Sequence, residues 1–351
     1  MKSKLIITLL LISTSIAVWA QKPKMIVISP KQTQQAEKLY NSGLEKYNKK
    51  AYSAAINDLK ASLNINAELT DAYKLLASAY QANQQKEEAI KVLTTFVEKS
   101  NSKDSAYFLL AKAYFNNGQY TEAITNADKS IAYNDTNFKV YYLRGLANFQ
   151  MKNYDDAVTD YTNALKISDK VAQIYNDRGS ARKMKGDLKT AIEDYKTAIS
   201  INGKMPIYYN NLGSAYYESE AYDHAIEAYT NAIDIDPEYY MAYNNRGVAK
   251  IQNIDYQGAI EDFTKTIALK DDFYQSYSNR GFAYYKLKQY QNAIDDFNAA
   301  LKINPQYGEA YMHRGNTKEM MRNPEGACED WSKAAAMGIE QAKEYVEKQC
   351  K

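Results

Sequence analysis

Proline and glycine are scarce in this chain, 6 and 14 among 351 residues, which argues against many short strands joined by tight turns. Cysteine and histidine are scarcer, two of each. The histidines, His224 and His313, lie nearly 90 residues apart, a spacing that suits neither a zinc site nor a nucleophile relay. Cysteine pairs at metal-ligand spacing, glycine-rich phosphate loops and nucleophile elbows are missing, so no enzyme activity, metal or cofactor is expected. Neither charge sign is in excess: 44 Lys and Arg face 42 Asp and Glu. A nucleic-acid surface needs a clustered basic excess, and none is visible, so nucleic acid is not an expected partner.

One long apolar run stands out, Leu5 to Ala17, preceded by Lys2 and Lys4 and followed by Val18-Trp19-Ala20. It is shorter than the ~20 residues that span a bilayer. The pattern is that of a secretory signal peptide over residues 1–20, cut between Ala20 and Gln21. No cysteine follows the run to serve as a lipid attachment point. Cleavage removes two lysines and leaves 42 basic residues against 42 acidic ones. The expected location is therefore exported, periplasmic or secreted, with no integral membrane segment left.

What the chain does have is tyrosine, 33 of them, and a repeat that explains most. Steps of 34 residues from Ala36 start nine units at Ala36, Thr70, Asp104, Phe138, Ala172, Pro206, Tyr240, Tyr274 and Gly308 without a gap, covering residues 36–341. Repeat position 4 is Tyr in eight units and position 20 is Ala in all nine. Position 8 is Gly or Ala throughout, and position 24 is aromatic in six units (Tyr161, Tyr195, Tyr229, Phe263, Phe297, Trp331). These columns recur at helical spacing. Positions 4, 8 and 11 mark one face of a first helix, and positions 20, 24 and 27 one face of a second. Glycine inside a helix costs ~0.5–1 kcal/mol relative to alanine, so its recurrence predicts a close crossing there. The aromatics at positions 4 and 24 are read as core around that crossing.

Runs such as Tyr209-Asn210-Asn211-Leu212-Gly213, Ala225, Tyr229-Thr230-Asn231-Ala232 and Pro237 resemble the tetratricopeptide repeat. The resemblance implies an all-α, right-handed α-solenoid of helix-turn-helix repeats with a C-terminal capping helix. The family's proline at position 32 is present only as Pro237 and Pro305. The first two units depart furthest, with Leu39 for Tyr and Leu59 and Leu93 for the aromatic.

Position 7 is arginine in five units and position 23 of the same units is aspartate: Arg144 with Asp160, Arg178 with Asp194, Arg246 with Asp262, Arg280 with Asp296, Arg314 with Asp330. Where position 7 is Leu76, Leu110 or Leu212, position 23 is Val92, Asn126 or Ala228. This predicts an ion pair across each of the five hairpins; the first unit, with Ser42 and Asp58, breaks the pattern.

Residues 21–35 carry two prolines and no helical pattern, and read as a linker. Ile339 to Cys350 reads as a capping helix, residues 342–351 forming its end, with Ile339, Ala342 and Val346 on one face. Cys328 and Cys350 lie 10 and 12 residues from Gly338, about 15 and 18 Å along antiparallel helices, so a disulfide between them is expected.

In the family, the inner wall is built from first-helix positions 2, 5, 6, 9, 12 and 13. Here Asn211, Asn245 and Asn279 hold position 6, beside Asn176, Asn210 and Asn244 at position 5. The arrangement is similar to the asparagine rows with which some members hold an extended peptide. Phe108, Phe115, Tyr142 and Phe149 form a candidate apolar anchor on the same wall. The expected partners are other proteins or peptides, and the expected function is a non-enzymatic scaffold or adaptor. The alternative is a structural component of a cell-envelope assembly without a groove ligand.

Overall fold

The computed structural model describes residues 28–350, and the candidate signal peptide lies outside them. Every regular element among the described residues is an α-helix, 19 in all. Residues up to Lys99 form one compact unit and residues from Ser100 a second.

The first unit holds α1 (Pro30–Asn48), α2 (Tyr52–Ile65), α3 (Thr70–Ala82) and α4 (Lys86–Lys99). Helix α1 starts earlier than the sequence pattern suggests. Ser29 and Gln32 form a reciprocal capping box and Pro30 occupies the first turn, where its missing N–H costs nothing. Residues 30–35, read as the end of a linker, are therefore helical.

The second unit holds α5 (Lys103–Asn116), α6 (Tyr120–Tyr133), α7 (Phe138–Gln150), α8 (Tyr154–Ile167), α9 (Ala172–Met184) and α10 (Leu188–Ile201). It continues through α11 (Pro206–Glu218), α12 (Tyr222–Ile235), α13 (Tyr240–Gln252), α14 (Tyr256–Leu269) and α15 (Tyr274–Lys286). Its last elements are α16 (Tyr290–Ile303), α17 (Gly308–Met320), α18 (Pro324–Ala336) and α19 (Glu340–Gln349). Each helix packs on its neighbour in sequence from α5 to α19, and the first helices α9, α11, α13, α15 and α17 also touch in succession. Second helices approach each other less closely, so the stack of this unit bends toward its first helices, the arrangement of an α-solenoid.

The crossing inside each hairpin explains the small residue at position 8. A Cβ on Gly213 would lie 2.6 Å from the Tyr229 ring, and one on Gly145 or Gly247 would lie 2.7 Å from Tyr161 or Phe263. The position-24 rings are fully enclosed, Tyr161, Tyr195, Phe263 and Phe297 at 0% exposure. Tyr195 donates to Ser180 Oγ at 3.1 Å and Trp331 Nε1 to Asn316 Oδ1 at 2.8 Å, while Tyr161 Oη is buried without a hydrogen bond.

The position-4 tyrosines are a correction to the core reading. Only Tyr73 is buried; the seven from Tyr107 to Tyr311 are half-buried. In five of them the ring lies under the guanidinium of position 7, 5.2–5.9 Å away, a cation–π contact at the margin of the core.

The turn inside each hairpin puts position 15 in the left-handed region. Gly118 and Gly186 suit it, but Lys50, Gln84, Lys152, Glu220, Ile254, Lys288 and Arg322 adopt it too, at φ of 60–63°. The conformation costs a non-glycine residue ~1–2 kcal/mol, tolerated where packing on both sides fixes the turn.

Helix α19 closes the stack. Ala342 is buried, and Ile339, Tyr345 and Val346 pack with it against Met312, Trp331 and Ala334. Cys328 and Cys350 stand with Cα atoms 5.6 Å apart and their sulfurs at 1.99 Å, a Cα separation within the range a disulfide spans. No helix among the described residues is long and apolar enough to cross a membrane.

Candidate functional site

Two sets of polar side chains run along the second unit, one joining helices across the hairpins and one along the first-helix face. In the first set, each position-7 arginine grips the position-23 aspartate of its own hairpin with two nitrogens. Nη2 to Oδ1 distances are 2.6 Å for Arg144–Asp160, 2.7 Å for Arg178–Asp194, 2.6 Å for Arg246–Asp262, 2.8 Å for Arg280–Asp296 and 2.6 Å for Arg314–Asp330. The aspartate side chains are only 1–9% exposed. Burial pushes the Asp160 and Asp296 carboxyls above the usual range although their arginines pull the other way.

The remaining nitrogen, Nη1, reaches back to position 25 of the preceding hairpin: Asp128 for Arg144, Thr162 for Arg178, Thr230 for Arg246, Thr264 for Arg280 and Asn298 for Arg314. Sequence reasoning missed this second contact. The signal was present: position 25 is an acceptor before each arginine, and before Leu76 and Leu212 it is Lys60 and Lys196. A residue at position 11 completes several clusters, with Asn148 Nδ2, Arg182, Lys250 and Lys318 bound to the aspartates of their units. The first unit follows the same logic with other residues, since Ser42 Oγ donates to Asp58 at 2.6 Å and Lys46 pairs with the same carboxylate. All these groups are committed to each other and bind hairpins together.

The second set lies along the first helices. In four successive units, those beginning with α9, α11, α13 and α15, position 6 bonds position 5 of the unit before, 35 residues earlier. Tyr142 donates to Asp177 at 2.6 Å, Asn211 Nδ2 to Asn176 Oδ1 at 2.9 Å, Asn245 Nδ2 to Asn210 Oδ1 at 3.0 Å, and Asn279 Nδ2 to Asn244 Oδ1 at 3.5 Å. Asn176 and Asn210 are buried, 4% and 6% exposed, and Asn211, Asn244, Asn245 and Asn279 are half-buried. The asparagines predicted as a binding row thus form a structural ladder first. Each position-6 amide spends one N–H on the preceding helix, which fixes its orientation, and keeps its second N–H; Oδ1 of Asn245 also accepts from Asn244 Nδ2 at 3.4 Å and retains one lone pair.

Asp177 stands where the later units have asparagine. Its carboxylate accepts from Tyr142, from Gln173 Nε2 at 2.9 Å and from Asn176 Nδ2 at 3.0 Å. Burial raises its carboxyl above the usual range despite these donors.

The four aromatics of the predicted anchor are half-buried and belong to two clusters. Phe108 and Phe115 pack with Ala111, Ala127, Val140 and Leu143; Tyr142 and Phe149 pack around Tyr161 and Ile174. Phe115 and Phe149 also hold Tyr120 and Tyr154 of their own hairpins at ring distances of 5.5 Å. The same position 12 to position 17 contact recurs in Tyr47–Tyr52, Tyr217–Tyr222 and Tyr285–Tyr290. This anchor is therefore largely occupied by the protein's own packing.

His313 sits on the first-helix face between Phe282 at 5.1 Å and Phe297 at 6.1 Å. Burial, with help from the nearby Lys286 charge, lowers its pKa to about 4. His224 rests on Tyr216 at 5.1 Å. Among the described residues no three His, Cys, Asp or Glu side chains gather as a metal-holding group.

Comparison with known proteins points one way. The family described as tetratricopeptide repeat matches residues 206–239 and 274–307, and that described as TPR repeat matches residues 179–219. The family of anaphase-promoting complex, cyclosome, subunit 3 matches residues 94–163. Among curated proteins none matches this sequence. A tetratricopeptide repeat protein from Parabacteroides merdae is 18% identical with a TM-score of 0.58, over 72% of this chain and all of that one. The C-terminal part of a TPR repeat-containing protein from Cytophaga hutchinsonii is 20% identical with a TM-score of 0.57, over 68% of this chain and 98% of that one. The APC/C hetero-tetramer Cut9–Hcn1 matches at 14% identity and a TM-score of 0.55, over 90% of this chain and 76% of that one. At these identities the likeness concerns the fold.

Proposed function

Because the chain is a tetratricopeptide-repeat protein, a fold that generally carries interactions between proteins and not catalysis, we propose that it is a scaffold that holds a polypeptide segment along its first helices. The observation that carries this reading is the amide ladder. Asn211, Asn245 and Asn279 are each tethered by one N–H to the helix before, so the rest of the amide is presented in a fixed direction, once per hairpin. An amide offers both a donor and an acceptor, which is what the backbone of an extended chain requires. Orienting these groups in advance removes part of the ordering cost of binding. The recurring charge clusters of the hairpin interior offer no competing surface, since their members already pair with each other.

The sequence features at both ends support an exported protein. The run at residues 1–20 has the pattern of a signal peptide, and a bond between Cys328 and Cys350 would persist only in an oxidising compartment.

Replacing Asn211, Asn245 and Asn279 together by alanine tests the binding reading. Partner capture should fall while the helical signal remains. Because those residues also tie helices together, Met241→Arg supplies a second variant: this side chain is 39% exposed on the same first-helix series. If partners are retained by both variants, the outer surface is the working one and the structural envelope role takes its place.

A further inference from the structure

The clasp that joins successive hairpins is missing at one joint of the second compact unit. Arginine at position 7, aspartate at position 23 and an acceptor at position 25 of the hairpin before form it at α6–α7, α8–α9, α12–α13, α14–α15 and α16–α17. At α10–α11 the same three positions hold Leu212, Ala228 and Lys196. Neither Leu212 nor Ala228 has a polar side-chain atom, and the Lys196 ammonium lies over the Tyr216 ring at 5.6 Å. The three columns change together. They do so again in the first compact unit, as Leu76, Val92 and Lys60.

Each of these two places has a hollow at the clasp columns. Lys196 and Ile199 of α10, Leu212 and Tyr216 of α11 and Ala228 of α12 border one of about 220 Å³. Lys60, Leu63, Leu76, Tyr80 and Val92, the same columns, border one of about 250 Å³. Apolar contacts still hold the α10–α11 joint, where Leu212, Ala215 and Ala228 cluster with Ala191 and Tyr195. Trading a buried ion pair for apolar packing need not lower stability. What is lost is direction. A two-nitrogen grip on a carboxylate fixes the geometry of its partners, whereas apolar attraction is non-directional, and surfaces beside a void can slide or close over it.

First helices at the same joint are pinned. Asn211 Nδ2 donates to Asn176 Oδ1 at 2.9 Å and Tyr208 Oη to Gln173 Oε1 at 3.2 Å. Lys183 Nζ donates to Ser214 Oγ at 3.2 Å and pairs with Glu218 at 2.6 Å. We infer that this joint is a hinge. The bonded helices α9 and α11 form its axis, and α10 and α12 move together or apart over the hollow. On either side lie blocks of clasped hairpins, α5–α10 and α11–α18, which move as bodies. Bending there changes the curvature of the first-helix face while the rungs of the ladder stay made. The inference holds whether or not that face takes a polypeptide.

The test measures distances between spin labels by pulsed electron resonance on the full chain. Labels are attached through a ketone-bearing amino acid, which leaves Cys328 and Cys350 untouched. One pair, Ser200 and Asp234, spans α10 and α12; a control pair at the same repeat position, Ala268 and Lys302, spans α14 and α16 across a clasped joint. All four residues are exposed. The distance distribution of the first pair should be roughly twice as broad as that of the control. Building the clasp with Lys196→Thr, Leu212→Arg and Ala228→Asp should narrow it to the control width. The converse set, Thr230→Lys, Arg246→Leu and Asp262→Ala, should broaden the distribution between Asp234 and Ala268, and decides the matter if the first set does not fold. Equal widths for the two pairs in the parent chain overturn the hinge. So does a width that neither set of substitutions changes in a folded protein.

Discussion

Arg246 holds Asp262 with two hydrogen bonds, Nε to Oδ2 at 2.9 Å and Nη2 to Oδ1 at 2.6 Å, and its third nitrogen binds Thr230 of the hairpin before at 3.0 Å. One side chain therefore ties the two helices of a hairpin and also the hairpin to its neighbour. Lys250 reaches the same carboxylate at 2.9 Å. The aspartate is the common acceptor, so removing it strands two cations, whereas removing the arginine leaves the lysine in place.

Asp262→Ala should therefore destabilise the protein more than Arg246→Leu, by ~3–5 kcal/mol for the former at the buried limit. The double variant should lose less than the sum of the two. Urea melts of the three proteins measure this, and additive losses would contradict a coupled pair.

Gly213→Ala should cost ~1–3 kcal/mol, since its methyl must displace the Tyr229 ring in a packed core. Adding Tyr229→Leu should recover part of that loss. A Gly213→Ala protein as stable as the parent would mean that the crossing is looser than its 2.6 Å approach indicates.

His313 makes stability depend on pH. Its folded pKa, lowered to about 4 by burial and by Lys286, lies below the ordinary 6.5. Between these values the unfolded chain binds a proton that the folded chain does not. Stability is thus full above pH 6.5, falls as the pH drops toward 4, and levels off below it. Allowing for partial exposure, the loss is about 1–2 kcal/mol, and His313→Gln should flatten that part of the curve in thermal melts taken from pH 7 to 4.

Reduction should release two thiols and add two hydrogens to the intact mass. With a sequence separation of 22 between Cys328 and Cys350, loss of the bond should lower stability by about 3 kcal/mol. The change should centre on α19, and Trp331, whose ring lies 5.0 Å from Tyr345, reports it through its fluorescence. Free-thiol labelling of the native protein would contradict the bond.

The repeat made the helices legible because position within a 34-residue column fixes burial. The glycine at position 8 and the ring at position 24 meet inside one hairpin, so a single unit carries the whole message. Contacts between units are harder to read. Arg246 to Thr230 and Asn245 to Asn210 link columns of successive units, 16 and 35 residues apart, and show only when neighbouring units are compared. The half-exposed tyrosines of position 4 were misplaced because an aromatic column looks alike in a core and under an arginine. The start of α1 was missed because a capping box, Ser29 with Gln32, begins this helix before its apolar spacing begins. The asparagine row was visible as a row, but its bonding to the preceding helix depends on side-chain direction, which spacing does not carry.

The most direct measurement places a photo-crosslinking amino acid at Met241, on the first-helix series, and in a second protein at Glu261, exposed on a second helix. After irradiation in cells that express the full chain, position 241 should yield polypeptide adducts that disappear when Asn211, Asn245 and Asn279 are alanine, and position 261 should yield none. Adducts at 261 with none at 241 would contradict a scaffold that works through its first helices.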